Sequence, residues 1–366
     1  MSRHSLKLIV FAVTLLAAAS VTAQTTGDQG YARVQGRAIE KEEVAPTGDP
    51  QILLDMREEM RQFVQSISTF AHKHRRNFLI IVKGGLDLIV KKDDLDENRF
   101  PAARTFIQSI DGVLQEGLFL GERPFGQPPP AERQQRLLHL TETAKKHGLK
   151  VFIMDFSTDP AAIEKAYQQN KPRGYIPLVA QKLAADIDAL PTHPKQPIDE
   201  NPKSVLSING IKNFVYIANS RPFGRQDEFA LKMKQTNYDM IIVDVFHGRQ
   251  PLTKRAIETL KYKGIGGKRL VLAYVNIGSA ASYRYYWKAN WSEGSPSWID
   301  APFRDDPDRH HVHFWDMGWQ KVITGDPKSY IYGVIDQGFD GVVLDGIDAF
   351  WFFEGGGEME TQEAAQ

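Results

Sequence analysis

Residues 238–276 read YDMIIVDVFHGRQPLTKRAIETLKYKGIGGKRLVLAYVN. A short apolar run at 240–243 has the length of a buried strand. Residues 253–263 then place apolar side chains at helical spacing and stop at Gly264, and a second apolar run follows at 270–275. The same unit recurs along the chain. Further apolar runs of strand length lie at 78–82, 112–114, 151–154, 175–179, 214–218, 312–315 and 341–344, making nine in all. Helical patterns lie between or beside them. Asp49-Pro50 is placed to cap a run carrying Leu53, Met56, Met60, Phe63, Val64, Ile67, Phe70 and Ala71, and residues 130–147 form another that ends at Gly148. Strands that are apolar throughout and alternate with helices specify a parallel sheet covered on both faces.

The expected architecture is an α/β fold, a single (β/α)8 TIM barrel over residues 49–354. Nine runs exceed the eight that a closed barrel needs, so one is an accessory strand or a misreading. Residues 175–179 carry Pro177, which suits an edge, and are the first candidate for the surplus. No Gly-x-Gly-x-x-Gly follows the first strand, which argues against a dinucleotide-binding sheet. Residues 264–268, Gly-Ile-Gly-Gly-Lys, follow a helix and lead into a strand, the wrong context for a phosphate loop.

Composition narrows the chemistry. The 366 residues contain 45 Lys plus Arg, 45 Asp plus Glu and no Cys. A balanced charge argues against a nucleic acid as the main partner. Without Cys there is no disulfide, thiolate zinc site, iron–sulfur cluster or cysteine nucleophile. Arg3, His4 and Lys7 precede an apolar run at 8–19, and Val21-Thr22-Ala23 offers small residues where a signal peptidase reads. The expectation is a signal peptide over 1–23, a secreted or periplasmic mature chain, and no stable membrane insertion after cleavage. Residues 24–48 are polar and aperiodic and read as a disordered leader, and 355–366 read as a flexible tail.

Polar residues close the apolar runs: Lys83, Glu116, Asp155, Asn219, Asp244, Asn276, Asp316 and Asp345. In a barrel of this kind the C-terminal strand ends converge on one mouth that holds the active site. Taken singly, each such Asp or Asn is equally an ordinary helix N-cap, Asp316 first among them. Taken together they describe a carboxylate-lined mouth, and glycoside cleavage requires two carboxyl groups. Aromatic residues follow the same strands, at Tyr283, Tyr285, Tyr286, Trp287, Trp291 and Trp298 and at 350–353, where they can stack on sugar rings or pack loop against barrel. His310-His311-x-His313 puts His311 and His313 on one face of a strand, but matched ligands are missing nearby. The expectation is exposed histidines, no metal and no cofactor.

The strings LAYVNIGSAASYRYYW (272–287), FWD (314–316) and GFDGVVLDGID (338–348) closely resemble glycoside hydrolase family 114, the endo-α-1,4-polygalactosaminidase-like group. FVYIAN (214–219) and YDMIIVD (238–244) resemble its first and second strands. The helix at 53–74, KGG (83–85), DGVLQEGLF (111–119) and VFIMDF (151–156) resemble its later elements but stand earlier in the chain. The chain therefore looks like a circular permutant opened after the Asp345 strand. The resemblance implies a retaining-type glycosidase in which Asp345 is the nucleophile and Glu116 the acid/base. Asp244, Asp155, Asn276, Arg284 and Asp348 would line the sugar site, with Tyr216, Tyr283 and Trp315 as ring-bearing candidates. The implied partner is an oligo- or polysaccharide containing amino sugars. Relatives commonly carry acidic residues where Ser279 and Ala281 stand here, which motivates an alternative: a glycan-binding barrel that has lost turnover.

Overall fold

The computed structural model describes residues 54–93, 95, 96 and 98–355. The signal-like segment, the polar stretch 24–48, Asp49-Pro50 and the tail beyond Gly355 lie outside them. Eight parallel strands make one sheet: β1 (Leu79–Lys83), β2 (Gly112–Glu116), β3 (Lys150–Phe156), β4 (Ile176–Ala180), β5 (Phe214–Ile217), β6 (Met240–Asp244), β7 (Leu270–Asn276) and β8 (Gly341–Asp345). Their order is β4-β3-β2-β1-β8-β7-β6-β5, neighbouring strands pair parallel throughout this sheet, and β4 and β5 touch without sharing a ladder. The result is a nearly closed α/β barrel of the TIM type. Strands buried on both faces explain why each run is apolar from end to end.

Helices separate most of the strands. Among the described residues they are α1 (Met56–His74), α2 (Arg104–Gln108), α3 (Ala131–Lys146), α4 (Pro160–Asn170), α5 (Gln226–Lys234), α6 (Lys254–Leu260), α7 (Met317–Ile323), α8 (Tyr330–Gln337) and α9 (Phe350–Phe353); α7 and α8 both precede β8, and only short 3-10 turns lie between β4 and β5. The first helix is capped by Asp55, whose carboxylate accepts the Glu58 amide at 3.0 Å, rather than by the expected Asp49-Pro50. It buries Met60, Phe63, Val64, Ile67 and Ala71 along one face. Each large apolar side chain buried in this way stabilises the fold by about 1.5–3 kcal/mol. The helix packs between α8 and α2, and Arg57 pairs with Glu354 at 3.0 Å while its guanidinium sits 4.4 Å over Trp351. A helix from the start of the described chain thus covers the β8–β1 side.

Two expectations about strands change. Residues 175–179, expected as the surplus, belong to β4. Pro177 is tolerated because β4 is an edge strand, which can lack one amide donor. Residues 312–315 are not a barrel strand. Val312 ends the strand Arg309–Val312, which pairs antiparallel with Ser279–Ala281 and Ile299–Pro302 in a small separate sheet. Asp316 then caps α7 by accepting the Gly318 amide at 2.6 Å. Among the described residues no helix is long and apolar enough to cross a membrane.

The strands that end in Glu116, Asp244 and Asp345 also begin next to an aspartate at the opposite rim. Asp111, Asp239 and Asp340 each accept a backbone amide of a neighbouring segment, from Ile80 at 2.8 Å, Lys212 at 2.9 Å and Val271 at 3.0 Å. Asp239 is fully buried and pairs with buried Lys263 at 3.0 Å. The Lys263 ammonium also donates to the Lys203 carbonyl at 2.6 Å, tying the loop before β5 to the barrel. Replacing one partner of such a pair strands the other as a buried charge. Lys263→Met is therefore expected to lower unfolding free energy by about 3–5 kcal/mol in urea denaturation, and a loss below about 1 kcal/mol, the worth of an exposed pair, would contradict this role.

Candidate active site

The carboxyl ends of β1, β2, β7 and β8 build the site. Because β1 lies between β2 and β8, the side chain closing it sits beside those closing both neighbours. Lys83 Nζ lies 2.7 Å from Glu116 Oε2 and 3.3 Å from Asp345 Oδ1. On β7, Tyr274 and Asn276 are two residues apart and share a face, with Asn276 in register beside Asp345. The Tyr274 hydroxyl donates a short hydrogen bond to Asp345 Oδ2. The turn after β8 is tight: Gly346 has φ +72°, and a Cβ on Gly278 would collide with the Gly346 carbonyl. Only glycine permits this approach, which brings the loop after β7 against the Asp345 carboxylate.

The two acids share the Lys83 ammonium, Asp345 at the cleft lining and Glu116 behind it, and their carboxyls are driven apart. Burial raises the Glu116 carboxyl most strongly; Lys83 pulls it down, Asp345 pushes it up, and the outcome is about 7. Its Oε1 is buried without a hydrogen-bond partner. Burial also acts to raise Asp345, but the Lys83 charge, the Tyr274 hydroxyl and the Gly346 amide outweigh it and hold the carboxyl below the ordinary value. Burial opposes the charge on Lys83, yet Asp345 and Glu116 together hold its ammonium well above the usual range. Near neutrality the arrangement therefore offers one carboxylic acid and one carboxylate.

A cleft of about 340 Å³ opens over this group, lined among others by Asp345, Asn276, Asp348, Gln115, Trp351 and Phe352. Asn276 Oδ1 accepts from the Ser279 amide and from its hydroxyl, both at 2.9 Å. A smaller chamber beside the cleft is lined by Tyr274, Tyr283, Arg284, Tyr286 and Tyr330. There Arg284 grips Asp244 at 3.0 and 2.9 Å, one contact to each carboxylate oxygen. Tyr283 is largely exposed and donates to Asp306 at 3.2 Å.

Other sequence candidates lie elsewhere. Asp155 is fully buried, accepts the Phe119 and Leu120 amides at 2.8 and 3.1 Å, and holds the loop after β2; burial raises its carboxyl to about 6. Tyr216 is not elsewhere: it is buried with its ring 5.9 Å from that of Tyr274 and lies within the fields of Lys83, Asp345 and Glu116, while its other side lines an apolar cavity beside Leu178, Ile187 and Leu190 near the β4–β5 seam. Trp315 packs on His313 at 4.9 Å and edge-on to Phe353 at 4.7 Å, outside the cleft lining. His311 is not exposed: its ring is stacked between Phe303 at 3.8 Å and Phe352 at 3.6 Å, and burial lowers it to about 4.

Two members of the group went unassigned at the level of sequence. Lys83 was visible only as a polar strand end, and Tyr274 was hidden in an apolar run where its hydroxyl was the sole signal. Among the described residues no group of three or more His, Asp or Glu is placed to hold a metal ion.

A lysine clasping two carboxylates of opposite protonation at a barrel mouth defines a site suited to acid/base chemistry. Residues 218–366 match the model of glycoside-hydrolase family GH114. An uncharacterized protein of Thermotoga maritima is 29% identical over 141 residues, 38% of this chain and 42% of its own length. One from Deinococcus radiodurans is 40% identical over 82 residues, 22% and 25% of the two chains, and one from Methanocaldococcus jannaschii is 30% identical over 138 residues, 37% and 38%. The matched segments thus span less than half the length of these relatives.

Glu116 also couples stability to pH. A carboxyl raised from 4.5 to about 7 on folding makes the native state bind its proton more tightly than the unfolded chain does. That stabilisation is fully present below the unfolded value and is lost as pH rises through the folded value. Glu116→Gln removes the titration, so the variant should gain stability relative to the parent between about pH 4.5 and 7, by up to roughly 3 kcal/mol. Parallel profiles of melting temperature against pH would contradict the raised carboxyl.

Proposed function

We propose that this chain is a glycoside hydrolase cleaving an α-linked polysaccharide that contains amino sugars. The activity is polygalactosaminidase-like and the mature protein is exported. The observation that carries the reading is the pair Glu116 and Asp345 on one lysine, one protonated and one ionised near neutrality. Asp345 attacks the anomeric carbon while Glu116 gives its proton to the leaving oxygen. A glycosyl ester on Asp345 results, and Glu116, now a carboxylate, takes a proton from the water that releases the sugar. The contacts at 2.7 and 3.3 Å to one nitrogen leave no more than about 6 Å between the nearest oxygens of the two acids. Retention, which uses carboxyl groups about 5–5.5 Å apart, is part of the proposal. Tyr274 and Lys83 hold Asp345 ionised and aimed. Asn276 and Asp348 face the sugar, with the Arg284–Asp244 pair shaping the adjoining chamber.

A permuted strand order is part of the proposal. It is supported by the family match, which begins after β5 and leaves β1–β5 before it, and by α1 packing against α8, the helix that leads into β8. A second reading, glycan binding without turnover, rests on Ser279 and Ala281, where the resemblance leads one to expect acids; it predicts tight oligosaccharide binding and no product.

The test is a panel of polysaccharides with product analysis by mass. Asp345→Asn should abolish cleavage, and Glu116→Gln should slow it by about 10²–10⁴-fold. Because Glu116 must be protonated to act as the acid, kcat/KM should fall as pH rises through about 7, and the acid limb should lie below the ordinary carboxylate range. Full activity in either variant, or a rate that keeps rising above pH 8, would remove the assignment.

A further inference from the structure

One carboxylate at the barrel mouth holds two loops at once. Asp244, which closes β6, takes the Arg284 guanidinium at 3.0 and 2.9 Å, and its Oδ1 also accepts the Phe246 amide at 2.9 Å. Arg284 belongs to the loop after β7, and Phe246 to a short hairpin after β6 in which residues 246–247 pair with 250–251. Tyr285, next in the chain to Arg284, is thereby laid on Phe246, with ring centroids 5.6 Å apart and planes 28° from parallel. Tyr330 and Tyr286 meet the same ring steeply, at 5.3 and 5.6 Å. Three rings and an ion pair fix Tyr285 in place.

The ring so firmly held is left uncovered. Tyr285 is 52% exposed and Tyr283, two residues before it, 60%. Among the described residues Phe100 is the only other Phe, Tyr or Trp as open to solvent. A single exposed ring needs no explanation, but exposed rings gathered beside a cleft mark a binding surface. Strand order gives this surface a direction. Glu116 on β2 lies to one side of Asp345 on β8, and Tyr274 on β7 and Asp244 on β6 lie to the other. Tyr274 donates to Asp345 and lines the side chamber with Tyr286 and Tyr330, the rings on which Tyr285 rests. An acid must reach the leaving oxygen. The departing part of a sugar chain therefore runs to the Glu116 side, and the part that stays on Asp345 runs past the chamber toward Tyr285.

We infer that the half-exposed ring of Tyr285, backed by Phe246 and held by the Asp244–Arg284 pair, is a distal sugar platform on the non-leaving side, so that the protein favours chains long enough to reach it. This deepens the proposed function and rests on its assignment of Glu116 and Asp345. A sugar ring offers a face of C–H groups that packs on a flat aromatic side chain while its hydroxyls stay in water. An amino sugar is accepted there as well. Ring faces attract an ammonium, and Asp244 neutralises the neighbouring Arg284.

Binding is measured in the full chain carrying Asp345→Asn, so that nothing is consumed, with α-1,4-linked galactosamine dimer, tetramer and hexamer. Affinity should rise by about tenfold from dimer to hexamer, the worth of one good ring contact. Adding Tyr285→Ala or Tyr285→Leu should remove most of that gain while changing dimer affinity by less than about twofold. Tyr285→Phe, which keeps the flat ring, should retain the gain. Matched melting curves show that each variant folds, and a merely structural role would weaken dimer and hexamer alike. Equal weakening at every length, no weakening by Tyr285→Ala, affinity independent of length, or no binding at all overturns the inference. Digestion of hexamer labelled at its reducing end runs in parallel, with Asp345 intact. Tyr285→Ala should shift the cut toward the non-reducing end, and a shift the other way overturns the side assigned to the platform. Products together with length-independent binding defeat the inference and leave the hydrolase reading intact. Length-dependent binding that is lost with Tyr285, without products from the unmodified chain, defeats the hydrolase reading and leaves the platform standing.

Discussion

The Lys83 ammonium, 2.7 Å from Glu116 and 3.3 Å from Asp345, is the contact on which the rest of the mouth depends. Two carboxylates in a buried pocket repel each other and resist ionisation, so without a cation both would take up protons. One lysine does not serve them equally. Asp345 also receives the Tyr274 hydroxyl and the Gly346 amide, whereas Glu116 keeps one oxygen unpartnered. The asymmetry, more than the lysine itself, separates the two acids. It follows from strand order: β1 lies between β2 and β8, so a long side chain at its end reaches both acids, while β7 lies between β8 and β6 and so stands beside Asp345 and not beside Glu116.

The same strands are anchored at their other ends. Asp111 and Asp340 grip backbone amides where β2 and β8 begin, and Glu116 and Asp345 stand where those strands finish. Fixing the start of a strand fixes the height of its last residue, and height decides whether two carboxylates and an ammonium meet. Stability and site geometry are therefore linked through the strands. The cleft's outer wall is different. It comes from a small sheet built on the loop after β7 and on residues 299–312, and it can vary in charge without disturbing the barrel.

Much of this was legible in the sequence. Apolar runs separated by helical patterns gave the barrel, and reading the polar residue that closes each run found Glu116, Asp244, Asn276 and Asp345. What failed had local causes. Pro177 marked an edge correctly, but an edge strand still belongs to the barrel when the closing ladder is missing between β4 and β5. Residues 312–315 look like a barrel strand because Val312 and Phe314 are buried, yet they are buried by a separate sheet and by aromatic neighbours. Asp155 closes a strand like the others, but its carboxylate is consumed by the loop after β2. A terminal acid has the same one-letter signature whether it faces a cleft or a backbone amide. Tyr274 lay beyond a linear reading because its role depends on which strands become neighbours.

The account stands on Glu116 and Asp345 holding different protonation states on one lysine. The most direct measurement is site-resolved titration of the two carboxyls by carbon NMR in the full chain, with Glu116→Gln and Asp345→Asn fixing the assignments. The account predicts a Glu116 midpoint near 7 and an Asp345 midpoint below the ordinary 3.8. Two midpoints together in the usual carboxylate range, or the higher one on Asp345, would contradict it.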